Sequence, residues 1–157
     1  MTGEAVTVVN SWKTWIAERL GVAKGGEEDP GEARNLAVAA LLVEVLRADY
    51  DASPAERQQV LDSAARLLKL DPARCEALLA GAERQVDGAH DLHQFTSELN
   101  RQLSHPEKLE LMEQLWRIAQ ADDVVHKYEE YLIRRVADLL HVSHREFIAA
   151  TLRASAT

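Results

Sequence analysis

Residues 36–46 read LAVAALLVEVL, an eleven-residue run whose one charged member is Glu44. A helix that is apolar on every side cannot lie on a protein surface, because other elements must cover all of its faces. The run is also well short of the roughly 20 apolar residues that a membrane span needs. It therefore predicts the central buried helix of a globular domain, beginning near Asp29-Pro30 and ending at about Ala48.

The other helix boundaries are indicated by capping sequences. Ser53, Ser104 and Ser143 are each followed three residues later by a glutamate, and Asp71 precedes a proline. Apolar residues recur at spacings of three and four between these signals, and no window alternates with the period of a strand. The fold class is therefore all-α, a single compact helical domain of about seven or eight helices. The predicted helices after the central one cover residues 53–69, 71–86, 89–103, 104–121, 127–141 and 143–155.

Composition excludes several classes of protein. The chain has 157 residues, 46% of them hydrophobic, which is enough for a buried core. A formal net charge of −8 argues against nucleic acid as a partner, since such proteins present a basic face. The single cysteine, Cys75, cannot form an internal disulfide and is expected to be a small buried hydrophobic residue.

The N-terminal part of the chain differs from the rest. Residues 1–21 predict an amphipathic helix with an apolar stripe of Trp12, Trp15, Ile16 and Leu20, and residues 22–30 form a flexible acidic linker. The start lacks the basic and apolar regions of a signal peptide, so a cytoplasmic location is expected. The helix either folds back onto the domain, contacts a partner, or makes a peripheral contact with the inner membrane.

The chain also repeats itself internally. With an offset of 73, Ala48-Asp49 falls on Ala121-Asp122 and Glu56 falls on Glu129. We predict two three-helix repeats at about residues 31–86 and 104–155, related by a pseudo-twofold axis and joined by a connecting helix at about 89–103. Neither unit can cover its own apolar faces, so residues 31–157 form one domain.

The two turns that share the pattern Ala-Asp, short turn, then Glu on the next helix resemble those of the TerB-like tellurite-resistance family. The stretch from Leu115 to Leu152 and the segment DLHQFTSELNR before it are similar to small bacterial members. The resemblance covers roughly residues 30–155, and it extends to the N-terminal domain of a membrane-anchored J-domain co-chaperone. It implies an all-helical fold, an acidic site for divalent cations, and a role in stress resistance through protein interactions.

Asp49, Asp51 and Glu56 form the candidate site in the first turn. Ca²⁺ and Mg²⁺ need several oxygen ligands, which clustered carboxylates on a turn can supply. The alternative is purely structural: Glu56 completes a capping box with Ser53, while the two aspartates bind the backbone of their own turn.

The candidate site in the second turn comprises Asp122, Asp123, His126 and Glu129. Asp123 stands where family members often have glycine, and His126 stands at a position that is often acidic. Because imidazole nitrogen joins the oxygens, this turn would suit Zn²⁺ or another transition metal. The alternative is that His126 is a solvated turn residue.

These observations predict a non-enzymatic TerB-like module that binds a divalent cation at its acidic inter-helix turns. It would act through partner proteins in tellurite-type stress resistance. A metal-free scaffold and a membrane-associated interaction domain are the alternatives, followed by a metal-dependent hydrolase. No catalytic motif stands out in the sequence, and surface turns rarely provide the water-poor cleft that acid–base chemistry requires.

Overall fold

The structure is a computed structural model that describes residues 30–47, 53–85, 92–121, 125 and 127–156. Within these ranges it contains seven α-helices and no β-strand, which confirms the predicted all-α class. The predicted N-terminal helix, residues 1–21, lies outside the described residues, and so does the predicted linker, residues 22–30, except for Pro30. The helices are α1 (Pro30–Arg47), α2 (Pro54–Leu68), α3 (Pro72–Gln85), α4 (Leu92–Gln102), α5 (His105–Ala119), α6 (Lys127–Leu139) and α7 (His144–Ser155).

Helix α1 lies at the centre of the fold, as its apolar sequence predicts. Every side chain from Ala37 to Val43 is buried, and so are Val45 and Leu46. The helix packs against each of α2, α3, α4, α5 and α6. This enclosure follows from the absence of a polar face, since water would otherwise contact apolar surface on some side of the helix.

The covering helices bury the stripes that their spacing predicts. Val60, Ala64 and Leu67 of α2 are buried, as are Phe95 and Leu99 of α4. Cys75 is fully buried, which confirms its predicted role as a small hydrophobic residue. Two polar side chains are enclosed where α2 meets α5, and the hydroxyl of Ser63 donates to Oε1 of Gln114 at 2.8 Å.

Side-chain bonds fix how the helices run relative to one another. The start of α1 lies beside the start of α5, because Arg34 bonds Glu107 at 3.1 Å. Helix α7 runs parallel to α5: His105 contacts Glu146 at their first turns, and Gln120 donates to the carbonyl of Ala154 near their ends. These bonds bring the first two turns of α1 and the first turns of α5 and α7 to one end of the domain.

A residue with left-handed backbone follows each of α2 and α6: Lys69, at φ 58°, comes directly after Leu68, and His141, at φ 62°, lies two residues after Leu139. At the end of α6 the N–H of Val142 donates to the carbonyl of Ala137, and that of His141 to Asp138, which is a Schellman motif. Glycine is the usual residue at this position because it has no Cβ to clash.

Side chains from other helices bind the last carbonyls of α2 and α6. Arg34 and Asn35 of α1 donate to the carbonyls of Leu67 and Leu68 at 3.2 and 3.3 Å. Asn100 of α4 donates to the carbonyl of Leu139 at 2.9 Å. These bonds satisfy groups that have no partner within their own helix. The end of α6 is therefore placed beside the end of α4 and the start of α5, so α6 runs antiparallel to α5.

Two features recur close to the predicted offset of 73: Glu56 and Glu129, 73 apart, are both the third residue of a helix, and the left-handed residues are 72 positions apart. The pseudo-twofold arrangement of two complete three-helix repeats stays a prediction.

Replacing either left-handed residue with glycine should stabilise the protein. An L-residue in this conformation costs roughly 1 kcal/mol, part of which is offset by the greater freedom of glycine in the unfolded chain. We expect Lys69→Gly and His141→Gly each to raise the free energy of unfolding by about 0.5–1 kcal/mol in urea denaturation. Lys69→Ala is the control, since it keeps the Cβ and should give no gain. A gain as large from alanine as from glycine would show that the backbone conformation is not the cause.

Candidate functional site

Four glutamates occupy the same local position, the third residue of a helix. They are Glu56 in α2, Glu107 in α5, Glu129 in α6 and Glu146 in α7. A carboxylate in the first helical turn is favoured there by unpaired backbone N–H groups and the helix dipole. The structure separates these four residues into two classes.

Glu107 and Glu146 are helix caps at the surface. Each accepts a bond from the backbone N–H of its cap serine, at 2.8 Å from Ser104 and 3.0 Å from Ser143. Each serine hydroxyl accepts a bond in return from the backbone N–H of the glutamate, so both predicted capping boxes are complete. The side chains remain 40% and 32% exposed.

Glu56 and Glu129, by contrast, are fully buried, with an exposed fraction of 0%. At Ser53 the structure records the serine half of the predicted box, in which the hydroxyl accepts from the N–H of Glu56 at 3.1 Å. Moving an ionised carboxylate out of water costs several kcal/mol unless a nearby cation or hydrogen-bond donors compensate for it. Burial therefore distinguishes these two glutamates from the pair that serve as ordinary caps.

Each buried glutamate is the third residue of the helix that follows one of the two acidic turns. The remaining members of the predicted sites, Asp49, Asp51, Asp122, Asp123 and His126, lie outside the described residues. Within the part of the chain that the structure describes, no group of three or more His, Cys, Asp or Glu side chains is arranged to hold a metal ion. Of each predicted metal site, the structure therefore describes one member, a glutamate with a buried carboxylate. Carboxylate oxygens are suitable ligands for a hard cation such as Ca²⁺ or Mg²⁺.

An exposed aromatic pair on α6 is a surface feature that the sequence analysis did not identify. Tyr128 and Tyr131 are 62% and 60% exposed, and Lys127 and Arg135 beside them are exposed as well. We call these four residues the α6 surface. Tyrosine and arginine are enriched at the centres of protein interfaces. The signal was present in the sequence KYEEYLIRR, because Tyr-x-x-Tyr on a helix places both rings on one face, away from the buried Ile133.

Comparison with known protein families shows to which family this chain belongs. The family model described as Tellurite resistance protein TerB matches residues 35–152, well over half of the sequence. The chain belongs to the TerB family. No curated protein and no solved structure matches it. The predicted resemblance is thereby confirmed, and both buried glutamates lie inside the matched region.

This TerB-family chain has no helix, among its described residues, that is both long and apolar enough to cross a membrane.

The cap residue Glu146 makes the folding stability of this TerB domain depend on pH. The hydrogen bond with His105, at 2.5 Å, and the backbone N–H of Ser143 lower the pKa of Glu146 to about 2. A carboxyl whose pKa is lower in the folded state stabilises the fold above its unfolded pKa, and loses this contribution as the pH falls through the folded pKa.

We expect Glu146→Gln to destabilise the protein at neutral pH, and its difference from wild type to disappear between the ordinary carboxyl pKa of 4.5 and about pH 2. Urea denaturation at several pH values in this window measures the difference. His105→Ala removes the largest cause of the lowered pKa, so the difference should then vanish at a higher pH. A difference that stays constant across the window would contradict the assignment.

Proposed function

We propose that this chain is a non-enzymatic TerB module that holds a divalent cation at its acidic inter-helix turns and acts through partner proteins in tellurite-type stress resistance. The observation that carries the proposal is the complete burial of Glu56 and Glu129. Both stand at the third helical position directly after an acidic turn, 73 residues apart.

The reasoning from burial to a cation compares these residues with the exposed caps. Glu107 and Glu146 show that a glutamate at this position can cap its helix while remaining in contact with water. Capping therefore does not require burial. A bound cation would compensate an enclosed carboxylate, and aspartates on the preceding turn would supply further oxygens.

In the first turn, Glu56 would bind together with Asp49 and Asp51, an all-oxygen set suited to Ca²⁺ or Mg²⁺. In the second turn, Glu129 would bind with Asp122, Asp123 and His126. The imidazole nitrogen favours Zn²⁺ or a similar transition metal there. In a non-enzymatic module, the cation would hold each turn against the following helix and would not take part in a reaction.

The α6 surface favours a second candidate, a metal-free scaffold. Its two exposed tyrosines beside Lys127 and Arg135 form the kind of patch that contacts a protein partner, whether or not a cation is bound. In this case the buried carboxylates would have an architectural role only.

Thermal melting of the metal-stripped protein, titrated with Ca²⁺, Mg²⁺, Mn²⁺ and Zn²⁺, tests the cation. A ligand that binds the native state selectively stabilises it by mass action. At a hundredfold excess over Kd, the melting temperature should rise by about 5–10 °C. We expect Glu56→Gln to abolish the response to Ca²⁺ or Mg²⁺, and Glu129→Gln to abolish the response to Zn²⁺.

The matched controls are Glu107→Gln and Glu146→Gln, which alter a glutamate at the same helical position. These variants should melt at a lower temperature, because each loses the negative charge that interacts with the helix N-terminus and with Arg34 or His105, yet keep the full cation response. If no ion raises the melting temperature of the wild-type protein, the cation proposal is wrong and the metal-free scaffold becomes the favoured function. A response that survives both buried-site substitutions would place the cation elsewhere.

A further inference from the structure

The large hydrophobic side chains that remain exposed among the described residues are confined to two neighbouring helices. They are Tyr128 and Tyr131 of α6, and Ile148 and Leu152 of α7. Ile148 and Leu152 are four residues apart and therefore lie on one helical face, which we call the α7 face. They are 38% and 66% exposed, whereas Phe147, Ala150 and Ala154 on the opposite side of α7 are buried in the core.

We propose that the α7 face is the docking site for the N-terminal segment of this same chain, residues 12–20. The sequence predicts for that segment an amphipathic helix whose stripe of Trp12, Trp15, Ile16 and Leu20 requires an apolar surface to cover it. This proposal is independent of the cation, because neither acidic turn contributes to it.

The point of attachment of the segment favours α7. The N-terminal segment joins the domain at Pro30, the first residue of α1. Arg34 in the second turn of α1 bonds Glu107 of α5 at 3.1 Å, and His105 of α5 contacts Glu146 of α7 at 2.5 Å. The bond between His105 and Glu146 therefore lies at the same end of the domain as Pro30. Ile148, the first residue of the α7 face, comes two residues after Glu146, so this face begins near the point of attachment.

The length of the intervening chain is sufficient. Nine residues, 21–29, lie between Leu20, the last residue of the docking segment, and Pro30, and nine residues span up to about 30 Å when extended. Helix α5 contacts both α1 and α7, and the axes of adjacent helices are about 10 Å apart. The linker therefore has to span about 20 Å between α1 and α7.

The tyrosines of the α6 surface are a less suitable site for the same segment. They lie in the first turns of α6, whereas the end of α6 at Leu139 is the one placed beside the end of α4 and the start of α5. A helix of 13 residues is about 20 Å long, so the tyrosines lie near the opposite end of the domain from Pro30. Their phenol hydroxyls also suit a hydrated interface, while the aliphatic α7 face suits an apolar stripe.

Cysteine cross-linking in the full-length chain tests this inference. Ala17→Cys places a thiol at the edge of the predicted stripe, and Ala149→Cys places one beside Ile148. A short bismaleimide should join them within one chain. Docking raises their effective concentration, so we expect a yield at least about fivefold above that of a control pair. The control combines Ala17→Cys with Tyr128→Cys on the exposed side of α6. Cys75 is buried, and single-cysteine chains correct for any reaction of its thiol.

A second substitution tests whether the cross-linking yield depends on the α7 face. Leu152→Glu adds a charge at a position that is 66% exposed, so the domain should keep its helicity and melting temperature. It should reduce the cross-linking yield of the Ala17→Cys, Ala149→Cys pair to that of the control pair. If the test pair and the control pair give equal cross-linking yields in chains that keep Leu152, the proposal is wrong. Cross-links formed mainly between two chains would overturn it as well, and would identify a second copy as the occupant of the face.

Discussion

Residues 36–46 of helix α1 have no polar face, and the rest of the structure is arranged around this constraint. Its side chains from Ala37 to Val43 are all buried, and five other helices contact it. Each large aliphatic side chain fully removed from water contributes about 1.5–3 kcal/mol, so no helix of this kind is stable without its cover. The covering helices in turn need only a narrow apolar stripe, which leaves their outer faces available for charges, caps and surface contacts.

Polar bonds at the helix ends determine the direction and relative placement of the helices. Arg34 is the clearest example, since its guanidinium group donates both to the carbonyl of Leu67 near the end of α2 and to Glu107 in the first turn of α5. Apolar packing is non-directional and would tolerate several arrangements. A bond at 3.1 Å between Arg34 and Glu107 selects one of them, and it brings the attachment point of the N-terminal segment to the end of the domain where α7 begins.

One local position, the third residue of a helix, places a glutamate in two different environments in this domain. A glutamate as the third residue of a helix caps α5 and α7 at the surface, whereas the same residue in α2 and α6 is enclosed. The helix dipole is equally favourable in all four cases. What differs is the free energy required to remove the carboxylate from water, and only the buried pair, Glu56 and Glu129, requires compensation by a cation or by hydrogen-bond donors.

Local sequence determined the all-α class, the helix boundaries to within about three residues, the caps at Ser104 and Ser143, and the burial of α1, because spacing and capping depend on neighbours along the chain. It also indicated the TerB family. Only the tertiary structure decided which glutamates are buried, that Arg34 binds the end of α2, and that Ile148 and Leu152 stay uncovered among the described residues. Burial depends on residues distant in sequence: Ser53 and Ser143 introduce the same capping signal, yet Glu56 becomes enclosed while Glu146 remains in contact with solvent.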